Sequence, residues 1–195
     1  MTANEYKYVD LGLPSGTLWA TCNVGANKPI DAGLFFAWGE TVGHRFGERI
    51  FQNDTYKFID DCFLGTFKKY NARDYKNQLD LEDDAAHANM GGDWRMPTVG
   101  EIQELIGSTI FKCVGGSVAF ISRVNGNKVR FPLGGFLVGD KINYVNRYSY
   151  IWSKSLEYRN LNPRYGFFGE GCSIAGAYRC LGFNVRGVIN VKKGD

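Results

Sequence analysis

The sequence predicts an α+β fold, on three observations. Residues 25–75 are rich in glycine and aromatic residues and keep no sustained helical or strand period. Two helix-like segments follow between positions 80 and 107. Short strand-like runs then fill the rest of the chain. Among 195 residues, 25 glycines and 15% aromatics fit this reading, because glycine supplies tight-turn geometries and flat rings fill a core between loops. No repeat, low-complexity tract or linker divides the chain, so a single domain, 1–195, is expected.

The elements follow in order. Residues 6–19, YKYVDLGLPSGTLW, are β-prone and broken by a turn signal at Leu13-Pro14-Ser15-Gly16. The stretch 25–75 is expected to be extended loop tied down by buried rings, with Phe35, Phe36, Trp38, Phe46, Phe51, Tyr56, Phe58, Phe63 and Phe67 as candidates. Residues 80–89, DLEDDAAHAN, read as a short helix capped by Asp80 and stopped by Gly91-Gly92. A second helix starts at Thr98. Thr98 and Glu101 form a capping box, Val99, Ile102, Leu105 and Ile106 share one face, and Gly107 is the expected stop. Residues 119–124 and 127–131 read as a hairpin around a type I′ turn at Asn125-Gly126. Residues 150–153 and 181–191 complete the strands. In the last of them Phe183 and Val185 should point one way, Asn184 and Arg186 the other.

Composition excludes several function classes. The net charge of +3 is scattered, with no basic run longer than Lys68-Lys69 or Lys192-Lys193, so a nucleic-acid partner is not expected. No run approaches the ~18 apolar residues of a membrane span, so membrane insertion is not expected. The opening MTANEYKYVD has no signal-peptide pattern. Five cysteines, without a CxxC or a Cys/His cluster, read as free and mostly buried thiols rather than a zinc site, with a Cys172–Cys180 bridge the less favoured option.

Glu82-Asp83-Asp84 could offer oxygens to calcium, but adjacent helical positions diverge, so the run reads as a solvated acidic first turn. His44 and His87 have no nucleophile motif beside them, and Gly134-Gly135 and residues 166–171 lack the lysine and helix start of a phosphate loop. No catalytic residue, metal or cofactor is expected, and the chain does not read as an enzyme.

The strongest functional signal is the composition of residues 153–180. Tyr158, Arg159, Asn160, Asn162, Arg164, Tyr165, Phe167, Phe168, Tyr178 and Arg179 are spaced there by Gly and Ser. This is the mixture of rigid rings, planar cations and adaptable amides found in paratopes. Phe168 is read as core. The candidate ligand-binding residues are Tyr158, Arg159, Asn160, Asn162, Arg164, Tyr165, Phe167, Tyr178 and Arg179, with Tyr165 and the arginines expected to be more exposed than Phe167.

The motifs also carry a resemblance. GGDWRMPTVGEIQEL, beginning at Gly91, resembles the WRLPT signature of C-type-lectin-like proteins, and the formylglycine-generating enzymes carry a related element. VDLGLPSGTLWATCNVGA (9–26), FFAWGET (35–41), LEDDAAHANMGGDWRMPT (81–98), YIWSKS (150–155) and LGFNVRGV (181–188) are similar to the Fibrobacter succinogenes major paralogous domain along nearly the whole chain. The resemblance implies a C-type-lectin-like fold with two short helices, small antiparallel sheets, long ordered loops and paired N- and C-terminal strands. It implies that Trp94, Arg95 and Pro97 are structural and that the region before the last strand faces the ligand. It further implies a non-catalytic adhesion module on a cell surface or virion, and in some relatives diversification of that region by a retroelement.

The expected partner is a protein or glycan on another cell, or a neighbouring subunit. A structural assembly domain, including a homo-oligomer, is the second reading. An oxidase of the formylglycine-generating type is the third, disfavoured because Cys172 and Cys180 do not match that enzyme's spacing.

Overall fold

A computed structural model describes residues 6–48, 54–61, 64–157 and 161–190. The chain begins with β1 (Tyr8–Val9) and β2 (Thr17–Ala20), which flank the expected turn, closed by the Gly16 N–H donating to the Leu13 carbonyl at 2.9 Å. The irregular region contributes only β3 (Phe35–Phe36), β4 (Ile59–Asp61) and β5 (Thr66–Phe67) among its described residues. A 3₁₀ turn (Leu81–Asp83), α1 (Ala85–Met90) and α2 (Val99–Ser108) follow. Then come β6 (Thr109–Val114), β7 (Ser117–Ser122), β8 (Lys128–Pro132), β9 (Phe136–Val138) and β10 (Lys141–Asn143). The rest is β11 (Ser149–Leu156), β12 (Pro163–Phe168), β13 (Cys172–Gly176), β14 (Phe183–Asn184) and β15 (Val188–Asn190).

The architecture is α+β, with two helices and several small sheets. A three-stranded sheet, β1-β2-β15, joins the two ends of the chain. The last strand lies antiparallel on the second, Val188 opposite Trp19, and the first strand pairs on the other side of β2. A second three-stranded sheet is β6-β7-β8, and a five-stranded sheet runs β13-β12-β11-β14-β3. The β11–β14 pair is parallel, an exception to the expected antiparallel pattern.

The five-stranded sheet separates two cores, and strand alternation decides which side chain enters which. Tyr150 and Trp152 of β11 face a core built with Phe36, Trp38, Tyr56, Phe58 and Tyr70 from the irregular region. Two indole N–H groups stitch the layers: Trp38 Nε1 donates to the Ser153 carbonyl at 2.9 Å and Trp152 Nε1 to the Phe36 carbonyl at 2.8 Å. Ile151 and Phe168 face the other way, onto Ile102 and Leu105 of α2 and onto Phe120 and Phe131 of β7 and β8. In the described parts of the long loop Phe35, Phe36, Trp38, Tyr56 and Phe58 are buried and Phe67 is half-buried, while Phe46 is well exposed; Phe51 and Phe63 lie outside the described residues.

The WRMPT motif is a junction. The Arg95 N–H and carbonyl both bond to Val188, tying the approach to α2 onto the last strand. Both Asp84 carboxylate oxygens accept from the Met96 N–H, at 3.0 and 2.9 Å. Trp94 is buried and meets Tyr6 edge-on. The capping box forms as expected: the Thr98 side chain accepts from the Glu101 N–H and the Glu101 carboxylate accepts from the Thr98 N–H. Glu101 also holds Arg95 in a two-pronged pair, at 2.8 and 2.6 Å, and accepts from the Thr17 hydroxyl at 3.0 Å.

Burial pushes the Glu101 carboxyl up, but the Arg95 guanidinium and the Thr98 N–H outweigh it and hold the group at about 2. An unfolded glutamate titrates near ~4.3. The folded value is the lower one, so this stabilisation is complete above the unfolded value and is lost as pH falls toward about 2. The expected loss is about 3 kcal/mol. Urea melts between pH 7 and pH 2 should show Glu101→Gln to be less stable at neutral pH and less sensitive to acid than wild type.

Four local expectations are corrected. The first helix begins at Ala85 with Asp84, not Asp80, as its cap, because the chain leaves the 3₁₀ turn in an extended conformation at Asp84. The second helix runs through Gly107 to Ser108. The β7–β8 connection is a longer loop rather than a type I′ turn: the Ser122 N–H donates to the Asn127 carbonyl, and the Ser122 hydroxyl accepts from the N–H groups of Val124 and Asn125.

The terminal strand is split into β14 and β15, and both of its faces are buried; Arg186, expected on an outward face, is 0% exposed. Its guanidinium donates to Asn23 Oδ1 at 2.9 Å and to the carbonyls of Ala20, Thr21 and Arg130 at 2.8, 3.1 and 2.9 Å. It also lies 4.4 Å from the centre of the Phe131 ring. Burial pulls its pKa down, and these acceptors replace the lost water.

Candidate ligand-binding cleft

Two segments and one sheet face form the cleft. The first segment joins β10 to β11. Tyr144 and Asn146 there adopt left-handed backbone, φ 56° and 63°, a conformation that is unfavourable for a bulky tyrosine. The surroundings enforce it. The Asn146 N–H donates to the Leu133 carbonyl at 2.7 Å, and the Gly135 N–H to the Tyr148 carbonyl at 2.9 Å. Gly135, at φ 66°, passes so near that a Cβ would sit 2.1 Å from the Asn143 carbonyl oxygen. This explains Gly134-Gly135, which resembled no phosphate loop. The Tyr144 ring stacks on Phe136, centroids 5.9 Å apart.

The floor is the outer part of the sheet face that carries Trp152. Tyr150, Tyr165 and Phe183 meet there, with Phe183 4.6 Å from Tyr165 and 5.2 Å from Tyr150, centre to centre. The second segment, from the end of β13 onward, supplies the far wall with Gly176, Ala177, Tyr178 and Leu181, and Asn162 closes one end. The cleft holds about 530 Å³. Tyr144 is 51% and Tyr178 76% exposed at its rim. Burial pushes the Tyr150 phenol up to about 12 and raises that of Tyr165.

The nine expected site residues divide. Asn162, Tyr165 and Tyr178 line the cleft. Tyr158, Arg159 and Asn160 lie outside the described residues. Phe167 is half-buried on the same sheet face but packs between Tyr148 and Tyr150 rather than lining the space. Arg164 does not line this cleft: as the neighbour of Tyr165 in β12 it faces the opposite side, toward Gln103 and Ile106 of α2, and pairs with Glu157 at 2.7 Å.

Arg179 is corrected, being 3% exposed. It donates to the carbonyls of Leu161, Lys69 and Tyr70 and lies 3.7 Å from the centre of the Phe67 ring. Leu161, at φ 54°, immediately precedes Asn162, so Arg179 is tied to the chain at the end of the cleft. Sequence reasoning missed Phe136, Tyr144, Tyr150 and Phe183. A signal was present, because residues 143–150, NYVNRYSY, repeat the Tyr-Asn-Arg composition that singled out 153–180.

No family model matches the chain, and neither a curated protein nor a solved structure matches it at a significant level.

The remaining candidate groups are placed elsewhere. The carboxylates of Asp80, Glu82 and Asp83 approach within 4.8 Å of one another, which the break before α1 allows; Asp84 instead caps α1. The Lys69 ammonium lies among the three at 2.8, 2.6 and 2.5 Å, and Lys76 and Lys57 add further ion pairs. Cys22, Cys113, Cys172 and Cys180 are free; none is fully buried and Cys113 is exposed, which corrects the expectation of mostly buried thiols. Cys62 lies outside the described residues. Cys172 and Cys180 pack against different cores, and burial pushes Cys172 up to about 11. His44 sits 3.4 Å from a Glu48 oxygen, and His87 Nδ1 lies 3.2 Å from the Trp94 carbonyl oxygen. No helix among the described residues is long and apolar enough to cross a membrane.

Proposed function

We propose that the chain is a non-catalytic ligand-binding module, C-type-lectin-like in fold and displayed on a cell surface or virion, that holds its ligand between Tyr144 and Tyr178. One observation carries this reading: two large rings stand exposed at the rim of an aromatic cleft, one of them on backbone that the surrounding chain forces into a left-handed conformation. Rigid aromatic anchors around a concave site are the usual source of binding energy, and unfavourable backbone geometry concentrates at ligand clamps. The WRMPT motif and the joined chain ends agree with the resemblance that suggested the fold. The separation of Cys172 from Cys180 weighs against the oxidase reading.

The test compares Tyr144→Ala/Tyr178→Ala with Arg164→Ala on arrays of immobilised glycans and peptides. The double variant should keep its melting temperature and lose binding by about a hundredfold, as two anchor rings would. Arg164→Ala, on the other face, should bind normally. Full binding by the double variant would remove the cleft from the function.

One observation favours assembly as a second reading. Among the described residues β6 pairs only with β7 and exposes Ile110, Phe111 and Val114, an edge suited to a neighbouring subunit. A stable oligomer by light scattering, lost on Phe111→Lys, would support it.

A further inference from the structure

We infer that the cleft takes a neutral carbohydrate, stacked by its C–H face on the tyrosine rings, without help from a metal ion. This rests on the reading of the cleft as the binding site and goes further by naming the ligand class. Charge is the first argument. Among the described residues that line the cleft, none carries a charge. The arginines that composition had placed there are elsewhere, Arg164 on the far face and Arg179 inside the fold. A carboxylate, phosphate or ammonium ligand would lose hydration and find no counter-charge, which is costly. A bridging cation would equally find no carboxylate among those residues to hold it.

Shape and chemistry narrow the class further. A volume of about 530 Å³ falls within the ~300–1,000 Å³ of small-ligand sites. A folded protein partner would instead need a broad surface of about 800 Å². The rings of Tyr144, Tyr165 and Tyr178 supply apolar area, while their hydroxyls offer neutral hydrogen-bonding groups. A pyranose has the matching pattern, one C–H face and a rim of hydroxyls. A hydrocarbon would bury those phenols without partners, which is unfavourable.

The test uses the full chain labelled with 3-fluorotyrosine and followed by fluorine NMR, the Tyr144 and Tyr178 signals being assigned through their phenylalanine variants. The probes are cellohexaose, xylohexaose, mannohexaose and maltohexaose, with oligogalacturonate as an acidic saccharide and proline- and tyrosine-rich peptides as protein-like ligands. At least one neutral oligosaccharide should produce saturable shifts at Tyr144 and Tyr178, unchanged by EDTA. Tyr178→Ala should weaken it about tenfold, the loss of one stacking contact. Shifts produced only by the acidic saccharide would overturn the neutral class, and shifts produced only by peptides would overturn the carbohydrate assignment; either result would leave the cleft as a binding site. Shifts abolished by EDTA would overturn metal independence. No shift at either tyrosine with any probe would overturn both the ligand class and the cleft.

Discussion

Replacing Arg186 with methionine is expected to cost the domain at least about 4 kcal/mol, most of a typical domain's stability. The side chain is completely buried where the chain between β14 and β15 passes residues 20–23 and the middle of β8. Methionine fills comparable space but donates nothing. It would leave the carbonyls of Ala20, Thr21 and Arg130 and the Asn23 amide oxygen without these donors in the interior, at ~1–3 kcal/mol for each group left unsatisfied. Arg186→Lys should recover little, since one ammonium cannot span acceptors arranged for a planar fork. Thermal and urea unfolding followed by circular dichroism is the measurement. A methionine variant within about 1 kcal/mol of wild type would show that the polar cluster is dispensable, as some buried ionic groups are.

The second large effect is expected at Gly135. Alanine there meets two penalties: a left-handed backbone, worth about 1 kcal/mol, and a Cβ placed 2.1 Å from the Asn143 carbonyl oxygen and 2.7 Å from the Val145 nitrogen. Real atoms do not approach so closely, so the segment from Asn143 to Tyr148 must move. The expected result is a stability loss of about 2–3 kcal/mol, together with loss of ligand binding because Tyr144 is displaced from the cleft. Gly126→Ala, in the β7–β8 loop, is the control. It also has positive φ, but open space surrounds its Cβ position, so only the backbone penalty should appear. Binding retained by Gly135→Ala would mean that the loop's fixed shape is not needed to present Tyr144.

Residue spacing made the helix at Thr98 legible, and with it the Glu101 cap, because a capping box is a contact between residues three apart. The ring-laden loop was legible too, since so much irregular chain with so many aromatic side chains must bury them to stay ordered. The site was legible only in part. Tyr165 and Tyr178 were found by composition, but composition has no direction. Tyr165 and Arg164 are adjacent and equally suited to recognition, and strand alternation sends one into the cleft and the other to α2.

What the sequence determined by itself is therefore whatever closes over a few residues: the capping box, the turn after β1, the strand at residues 150–153, and the α+β class they add up to. Only the tertiary structure decided which face was covered, because that depends on what arrives from elsewhere in the chain. Arg179 and Arg186 carry the point. Each reads as a surface cation, and each is internal because backbone carbonyls more than 100 residues away stand where water would be. A charge can be buried only where distant acceptors converge on it, and that convergence is a property of the folded chain, not of its neighbours in sequence.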